Sequence, residues 1–184
     1  RGSAWLNFNR LICDRWSHFN GKSHVVLMGD AAHTAHFAIG SGTKLALDDA
    51  IELTKQFETI GHDAKNIPAV LDAYEAVRRI DVARIQNAAR NAMEWFEVVG
   101  ERYADQFDAE QFLYSMLTRS QRISHENLRV RDKAWLEGFE RWFAKQAGIA
   151  DDAGGRPVPP VFTPYTVRSV TLPNRVIVSP MAMY

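Results

Sequence analysis

The sequence predicts an α/β fragment, more closely an α+β piece that is mostly helical after residue 42. A short β segment ends in the apolar run Val25–Met28, and a glycine-bearing loop, Gly29–Gly42, follows it. Apolar residues then recur at helical spacing as far as residue 147. After a stretch rich in Gly and Pro, short runs typical of strands return near the C-terminus.

Residues 5–28 are predicted to form β structure. Trp5–Phe8 alternates apolar and polar side chains, and the pair Asn20-Gly21 marks a turn. Val25–Met28 is a continuous apolar run, which is typical of a strand buried on both faces. That strand is expected to lead directly into the glycine-bearing loop.

The first helix is expected to span about residues 43–60. Its apolar side chains recur at helical spacing, which indicates a stripe that packs against a core. The stripe comprises Leu45, Ala46, Ala50, Ile51, Leu53 and Phe57. The acidic residues between them are expected to face solvent, and they are Asp48, Asp49 and Glu52.

Three further helices are expected before residue 148. The second opens at Pro68 and runs to about Gly100, because Pro is favoured in a first helical turn. The third begins after Asp108 as its N-cap. The fourth spans 132–147, and Gly148 stands where a helix end favours a left-handed residue. A core stripe, rather than a cofactor site, is expected from its large apolar residues, Trp135, Leu136, Phe139, Trp142 and Phe143.

The composition changes at residues 148–160, which are rich in Gly and Pro and poor in large apolar side chains. We therefore expect a linker there, between a domain at 1–147 and the start of another at 161–184. Three strands are expected in the last segment, at 165–167, 170–172 and 175–178. The chain has no initiator Met and stops directly after an apolar run, so we expect an internal piece of a longer protein.

The charges of the chain balance, with 22 Lys and Arg against 22 Asp and Glu and a formal net charge of zero. That balance gives no general reason to expect nucleic acid or an anionic membrane as a partner. No apolar run approaches the roughly 20 residues that span a bilayer. The single cysteine, Cys13, excludes an internal disulfide and is consistent with a reducing cytoplasm.

The residues with chemistry lie between His24 and Ala50. Asp30 stands at the tip of the apolar strand, where a carboxylate can accept hydrogen bonds from ligand hydroxyls. Gly40-Ser41-Gly42 opens the following helix, and glycines there let a ligand approach unpaired backbone N–H groups. This combination suits a cofactor that has both a polyol and an anionic or strongly polarised group.

Two other kinds of site fit these residues less well. A phosphate loop requires Lys after its last glycine, and Thr43 follows Gly42 here. Asp30, His33 and His36 have metal-like spacing, but they lie on a loop with no defined further ligand. No metal is therefore expected.

The motif Gly29-Asp30-Ala31-Ala32-His33, with Gly40-x-Gly42 and Asp49-Ala50 after it, resembles the second FAD motif of class A flavoprotein monooxygenases. The resemblance implies the C-terminal part of the FAD-binding fold of 4-hydroxybenzoate hydroxylase. It implies that Asp30 binds the ribityl chain of FAD and that backbone N–H groups of Thr43 and Lys44 face the flavin pyrimidine edge. Cofactor contacts are thus expected at Gly29, Asp30, Gly40, Gly42, Thr43 and Lys44.

The chain departs from the usual motif in two places, with Phe37 instead of Pro and Lys44 instead of Asn. The version His36-Phe37-x-Ile-Gly-Ser-Gly-Thr-Lys resembles the branch that hydroxylates aryl-CoA thioesters, anthraniloyl-CoA and salicylyl-CoA. His36 and Phe37 are therefore candidate catalytic residues where substrate meets the flavin. Ordinary loop packing is the alternative for both.

The helical stretch Leu117–Arg129 resembles the same aryl-CoA branch. Arginines are dense there, and guanidinium groups suit phosphate. Arg122 and Arg129 are therefore candidates for binding a phosphate of CoA. A solvated, salt-bridged face is the alternative for this basic cluster.

The C-terminal residues show a second resemblance. Val161–Pro164 and Leu172–Met181 are similar to the opening of an old yellow enzyme, a TIM barrel that binds FMN. There Ser179, Pro180 and Met181 would end the first barrel strand beneath FMN, and Tyr184 matches a tyrosine on the substrate side. A hydroxylase fused to such a reductase resembles the 2-aminobenzoyl-CoA monooxygenase/reductases.

Together the resemblances imply a cytoplasmic enzyme that hydroxylates an aromatic CoA thioester with FAD, O2 and NADH or NADPH, and reduces the product in an FMN domain. This chain by itself is expected to be inactive, because it lacks the Gly-rich dinucleotide fingerprint and nearly all of the barrel. Two alternatives stay open: a helical interaction module without redox chemistry, and a hydroxylase of a free aromatic acid. A homodimer also stays open.

Overall fold

The computed structural model describes residues 9–179, so the predicted alternation at Trp5–Phe8 lies outside the described residues. The chain forms two compact units. The residues up to Ala104, together with Arg119–Arg122, make the first, and Asp105–Thr118 with the residues from Ile123 onward make the second. Helix predominates in both, as predicted. Within residues 9–179, no helix has the length and apolar character that crossing a bilayer requires.

The first unit begins with an antiparallel hairpin of β1 (Ser17–Phe19) and β2 (His24–Val26). The predicted turn is confirmed, because the Asn20 side chain accepts two backbone hydrogen bonds within it, at 2.9 and 2.8 Å. The expectation of a strand buried on both faces is wrong. β2 ends at Val26, and Val25 is 47% exposed because β1 is the only strand that pairs with β2 in the described residues.

Two long helices follow in the first unit, α1 (Gly42–Ile60) and α2 (Ile67–Tyr103), and they pack against each other close to where the periodicity placed them. Their core is shared with the hairpin and the loop, and its buried members are Trp16, Ala32, Leu45, Tyr74 and Val82. Of the predicted α1 stripe, Leu53 packs against this core but Ile51 is 66% exposed. α1 therefore buries a narrower face than its sequence suggests.

The second unit contains α3 (Ala109–Thr118), α4 (His125–Arg131) and α5 (Lys133–Gln146). Asp108 and Asp132 accept hydrogen bonds at 3.0 Å from the N–H groups of Gln111 and Trp135, so each caps its helix, as expected for Asp108. The predicted core stripe of α5 is confirmed, since Leu136 and Phe139 are buried with Leu128 and the other aromatics pack around them.

A continuous helix over Leu117–Arg129 is wrong. α3 ends at Thr118, and Gln121 has a positive φ of 58°, which an α-helix does not accommodate. Ser124 then forms a capping box with Asn127 and starts α4. The residues on both sides of Gln121 form helix, but the turn at Gln121 and the N-cap at Ser124 separate them into α3 and α4.

The C-terminal segment of the second unit contains a hairpin of β3 (Tyr165–Val167) and β4 (Val170–Leu172), as predicted. The third expected strand, 175–178, is wrong: these residues have no strand partner in the described chain, and Val178 is 81% exposed. Instead the Arg175 guanidinium lies over the rings of Phe143 and Tyr165, at 4.9 and 4.8 Å. The domain border expected at 148–160 concerns a longer protein and stays a prediction.

Candidate active site

A cleft of about 660 Å³ opens in the first unit, and the loop after β2 forms one of its walls. Six residues singled out from the sequence line it together: Asp30, His36, Phe37, Gly40, Gly42 and Thr43. Further lining comes from the N-terminal segment and the middle of α2, with Arg10, Gln86, Arg90 and Met93. The structure therefore gathers the loop motif at one cavity and adds residues that the sequence did not single out.

Asp30 lies in a single 3-10 turn, Gly29–Ala31, and its side chain is exposed toward the cleft. Its carboxylate caps no helix and accepts no hydrogen bond from a described residue. Gly29 has a φ of 57°, and a Cβ there would lie 3.2 Å from the Cβ of Ala46, so this turn reaches α1 only with glycine. The carboxylate is thus held at the cleft with its acceptor sites available to ligand hydroxyls.

The N-terminus of α1 also faces the cleft. Gly40 ends a second 3-10 turn with a φ of 62°, which turns the chain into the helix. Ser41 is the N-cap, but its hydroxyl donates to the carbonyl of Ile39 at 3.4 Å rather than capping a helix N–H. The first backbone N–H groups at Gly42 and Thr43 therefore lack a side-chain acceptor and suit a polarised or anionic ligand group.

His36 and Phe37 form the rim between these two features. Their rings stack with centroids 4.3 Å apart, and Phe37 is 67% exposed. The Nδ1 atom of His36 accepts a hydrogen bond from the N–H of Ala38 at 3.2 Å. A neutral imidazole that accepts at Nδ1 carries its proton at Nε2, so His36 has a donor left for a ligand. The Arg119 guanidinium donates to the Ala38 carbonyl at 3.4 Å and so braces the same turn.

A buried carboxylate fixes the cleft walls to each other. Asp49 of α1 is fully buried and accepts hydrogen bonds from the N–H of Gly29 at 2.7 Å and from Nε2 of His33 at 2.9 Å. Its other oxygen accepts from Nε of Arg78 on α2 at 2.7 Å. The expectation that Asp49 faces solvent is therefore wrong. Its partner Arg78 lies 29 positions away, and helical periodicity carries no information on such a contact.

Burial raises the pKa of Tyr74, and the neighbouring Asp49 carboxylate raises it further. The Tyr74 hydroxyl donates to the carbonyl of Leu27 at 3.2 Å. This bond ties α2 to the segment that leads into the Gly29 turn. The phenol therefore stays protonated and acts as a donor in the same assembly as Asp49.

Two of the expected cofactor contacts lie beside the cleft and do not line it. One is Gly29, whose N–H is taken by Asp49. The other is Lys44, whose ammonium pairs with Asp48 on the surface of α1 and is 64% exposed. Ser179 is exposed at the end of the described residues, and Pro180, Met181 and Tyr184 lie outside them. Within residues 9–179, no group of three or more His, Cys, Asp or Glu side chains forms a metal site.

The two candidate phosphate ligands differ in their surroundings. Arg122 is exposed. Arg129 donates to Glu126 and, at 2.6 Å, to the fully buried carboxylate of Glu140. The hydrogen bond to Glu140 is the main cause that raises the pKa of Arg129. Arg129 thus has the salt-bridged environment that was the alternative for this cluster.

Comparison with known proteins matches the cleft-forming segment to a family. The model of an FAD binding domain matches residues 4–89. Salicyloyl-CoA 5-hydroxylase from Streptomyces sp is 42% identical over 174 residues, which are 94% of this chain and 30% of that protein. The 3-hydroxy-4-methyl-anthranilyl-[aryl-carrier protein] 5-monooxygenase of Streptosporangium sibiricum is 38% identical over 126 residues, 68% of this chain and 32% of that protein.

The chain belongs to the class A FAD-dependent aromatic monooxygenases. A kynurenine 3-monooxygenase from Xanthomonas axonopodis pv. citri (strain 306) is 38% identical over 79 residues, 43% of this chain and 16% of that protein. The chain therefore spans about a third or less of the length of these relatives.

Sequence reasoning missed three residues that line this cleft, Arg10, Gln86 and Arg90, and it included Asp49 in the motif without its buried role. Gln86 and Arg90 are four residues apart on α2, the spacing that places side chains on one helix face. That spacing was available in the sequence. The position of this face at the same cleft as Asp30 was not.

We expect Asp49→Asn to destabilise the monooxygenase fold strongly. The change removes the charge opposite the buried Arg78 guanidinium, and breaking such a pair costs about 3–5 kcal/mol of unfolding free energy. Asp48→Asn is the matched control on the same turn, because its pair with Lys44 lies at the surface and is worth at most about 1 kcal/mol. Urea unfolding of both variants measures the difference, and equal losses would contradict the assignment.

Proposed function

We propose that this chain supplies one side of the FAD site in an enzyme that hydroxylates an aromatic CoA thioester, with O2 and NADH or NADPH as co-substrates. The observation that carries the proposal is the cleft that joins the free Asp30 carboxylate to the uncapped N-terminus of α1. The 42% identity to a salicyloyl-CoA 5-hydroxylase across 94% of the chain supports the reaction class.

The residues present fit FAD. Asp30 would accept hydrogen bonds from the ribityl hydroxyls, since no described residue uses its oxygens. The N–H groups of Gly42 and Thr43 would face the pyrimidine edge, where the helix dipole favours negative charge. When bound, FAD supplies the redox chemistry with oxygen by which the ring is hydroxylated.

His36 and Phe37 would form the substrate side of this site. The stacked pair projects at the cleft, and the Nε2–H of His36 is a donor to a hydroxyl or carbonyl of the aromatic substrate. The exposed ring of Phe37 offers an apolar surface to an aromatic group. Their role is to orient the ring and to exclude water.

Arg122 is proposed as an outer contact to a phosphate of the CoA arm. Its guanidinium is exposed and makes no ion pair with a described residue. We propose that Arg129 stabilises the fold and does not contact CoA, because its guanidinium already donates to the carboxylates of Glu126 and Glu140. The names of two relatives, a salicyloyl-CoA hydroxylase and a monooxygenase of a carrier-bound anthranilyl group, support an activated acyl substrate.

The C-terminal segment is proposed to begin an FMN-binding barrel that lies downstream of 148–160. The resemblance of Leu172–Met181 to an old yellow enzyme is its support, and the β3–β4 hairpin is compatible with such a start. In that proposal Ser179, Pro180 and Met181 contact FMN and Tyr184 faces the substrate. The FMN domain would reduce the product of the first reaction.

We expect Asp30→Ala in the full-length enzyme to weaken FAD binding about 10- to 150-fold. The reason is the loss of a charge-assisted hydrogen bond, which is worth roughly 1.5–3 kcal/mol. Asp14→Ala is the control, because Asp14 is exposed and lies outside the cleft. Equilibrium dialysis of FAD measures the dissociation constants. An Asp30→Ala value equal to wild type would remove the ribityl assignment.

A substrate panel tests the reaction class. We expect hydroxylation of salicyloyl-CoA or anthraniloyl-CoA by the flavin-loaded enzyme and none of the corresponding free acids. Arg122→Gln should raise the KM for the CoA substrate a few-fold, more at low than at high salt, and leave kcat unchanged. Turnover of the free acids alone would identify a free-acid hydroxylase, and a full-length protein without flavin would identify an interaction module.

The flavin content tests the proposed second domain. Acid-released flavins from the full-length protein should contain FAD and FMN in equal amounts, and limited proteolysis at 148–160 should separate them. The cut is expected there because residues of this composition are largely exposed and form no regular element. FAD as the sole flavin would exclude the FMN barrel and leave the FAD assignment intact.

A further inference from the structure

The cleft that Asp30 lines carries an excess of positive charge. Among the described residues, its lining contains two guanidinium groups, Arg10 and Arg90, and a single carboxylate, Asp30. The function proposed above uses the carboxylate and the loop backbone but neither arginine. Two guanidinium groups without a proposed role, in a cavity of about 660 Å³, favour an anionic ligand.

Arg10 is positioned by a chain of hydrogen bonds. Its guanidinium donates to the side-chain oxygen of Gln86 at 3.2 Å, and the Gln86 amide donates to the carbonyl of Thr34 at 2.8 Å. The N–H of Leu11 donates to the Thr34 hydroxyl at 2.8 Å. Arg10 is thus attached both to α2 and to the cleft loop, while four of its five N–H donors stay available.

Arg90 stands one helical turn after Gln86 on α2, on the face that lines the cleft. Its nearest carboxylate is Glu94, with 3.6 Å between Nε and Oε1, too long for a hydrogen bond. Its side chain is 56% exposed. The Arg90 guanidinium therefore keeps its donors for a ligand.

We propose that Arg10 and Arg90 bind the anionic group of the aromatic substrate, and that Gln86 positions Arg10 for this contact. Guanidinium forks pair bidentately with carboxylate and with phosphate oxygens. The anionic group is therefore the carboxylate of a free aromatic acid or a phosphate of a CoA thioester. This inference rests on the proposed function, because it takes the Asp30 side of the cleft as the flavin side.

The test uses the full-length flavin-loaded enzyme with Arg10→Gln, Arg90→Gln and the double variant. Arg84→Gln is the matched control, because Arg84 lies on α2 outside the cleft and is 75% exposed beside Asp81. Salicylate and salicyloyl-CoA serve as the two substrate probes, and the flavin absorbance change on titration gives their dissociation constants without turnover. The FAD dissociation constant and the KM for reduced nicotinamide are measured in parallel.

The double variant should bind one of the two probes about tenfold or more weakly at low salt, with a smaller loss at high salt. The probe affected identifies the anion as carboxylate or phosphate. FAD affinity, the nicotinamide KM and the Arg84→Gln values should equal wild type. Unchanged dissociation constants for both probes would overturn the proposal, and so would a loss confined to FAD or nicotinamide.

Two readouts keep the inference separate from the proposed function. A wild-type enzyme that binds the probes but hydroxylates neither defeats the hydroxylase assignment, whereas the binding constants still decide the role of the arginines. Should the double variant unfold, Arg90→Gln alone decides, because its exposed side chain makes no hydrogen bond with the rest of the described chain. Gln86→Ala should then weaken the same probe, because it removes the side chain that positions Arg10.

Discussion

The cleft depends on one buried carboxylate. Asp49 receives the Gly29 N–H, the His33 ring and the Arg78 guanidinium, so three separate segments converge on two oxygens. A buried ion pair adds little net stability over a well-packed apolar substitute, because both charges must be desolvated. Its contribution here is geometric. Among residues 9–179, β2 pairs with β1 alone, and the Asp49 carboxylate fixes the turn that presents Asp30 to α1 and α2.

Much of the helical architecture could be predicted because local rules determine it. Asp108 and Asp132 cap their helices, and the α5 stripe follows its spacing, so these elements match the structure closely. The loop motif likewise brought six residues to one cavity, since strand, turn and helix start are continuous in the chain. The remaining features depend on contacts between residues that are far apart in the sequence, which local rules do not predict.

The errors have a shared physical origin. Asp49 was assigned to the solvent face because an acidic residue at that spacing usually is, yet Arg78 compensates its charge from another helix. In the described residues β2 pairs with β1 alone and is not buried on both faces, and residues 175–178 have no strand partner. In each case the side-chain pattern fits the predicted element, but the presence or absence of a contact with a residue distant in sequence determines the structure.

The arginines show that local sequence also predicts ligand-binding residues poorly when distant contacts decide their role. Density along the sequence favoured the cluster near Arg122 and Arg129, but Arg129 is occupied by Glu140 and Glu126. The cleft takes its positive charge from Arg10 and Arg90, which are 80 positions apart in the numbering and neighbours of the same cavity. Recognition of a charged ligand thus depends on which guanidinium groups keep N–H donors that no carboxylate accepts.

The core residues and the cleft residues of α2 lie on separate stretches of the helix, which has a consequence for how such proteins diversify. Tyr74, Arg78 and Val82 contact the buried core or the Asp49 carboxylate, whereas Gln86, Arg90 and Met93 lie one to three turns further and line the cleft. The residues that fix the Asp30 turn are thus separate from those that line the cleft along α2. If the cleft binds its ligands as we propose, a lineage can trade one aromatic substrate for another by altering a single stretch of one helix, while the buried contacts of Asp49 are inherited unchanged.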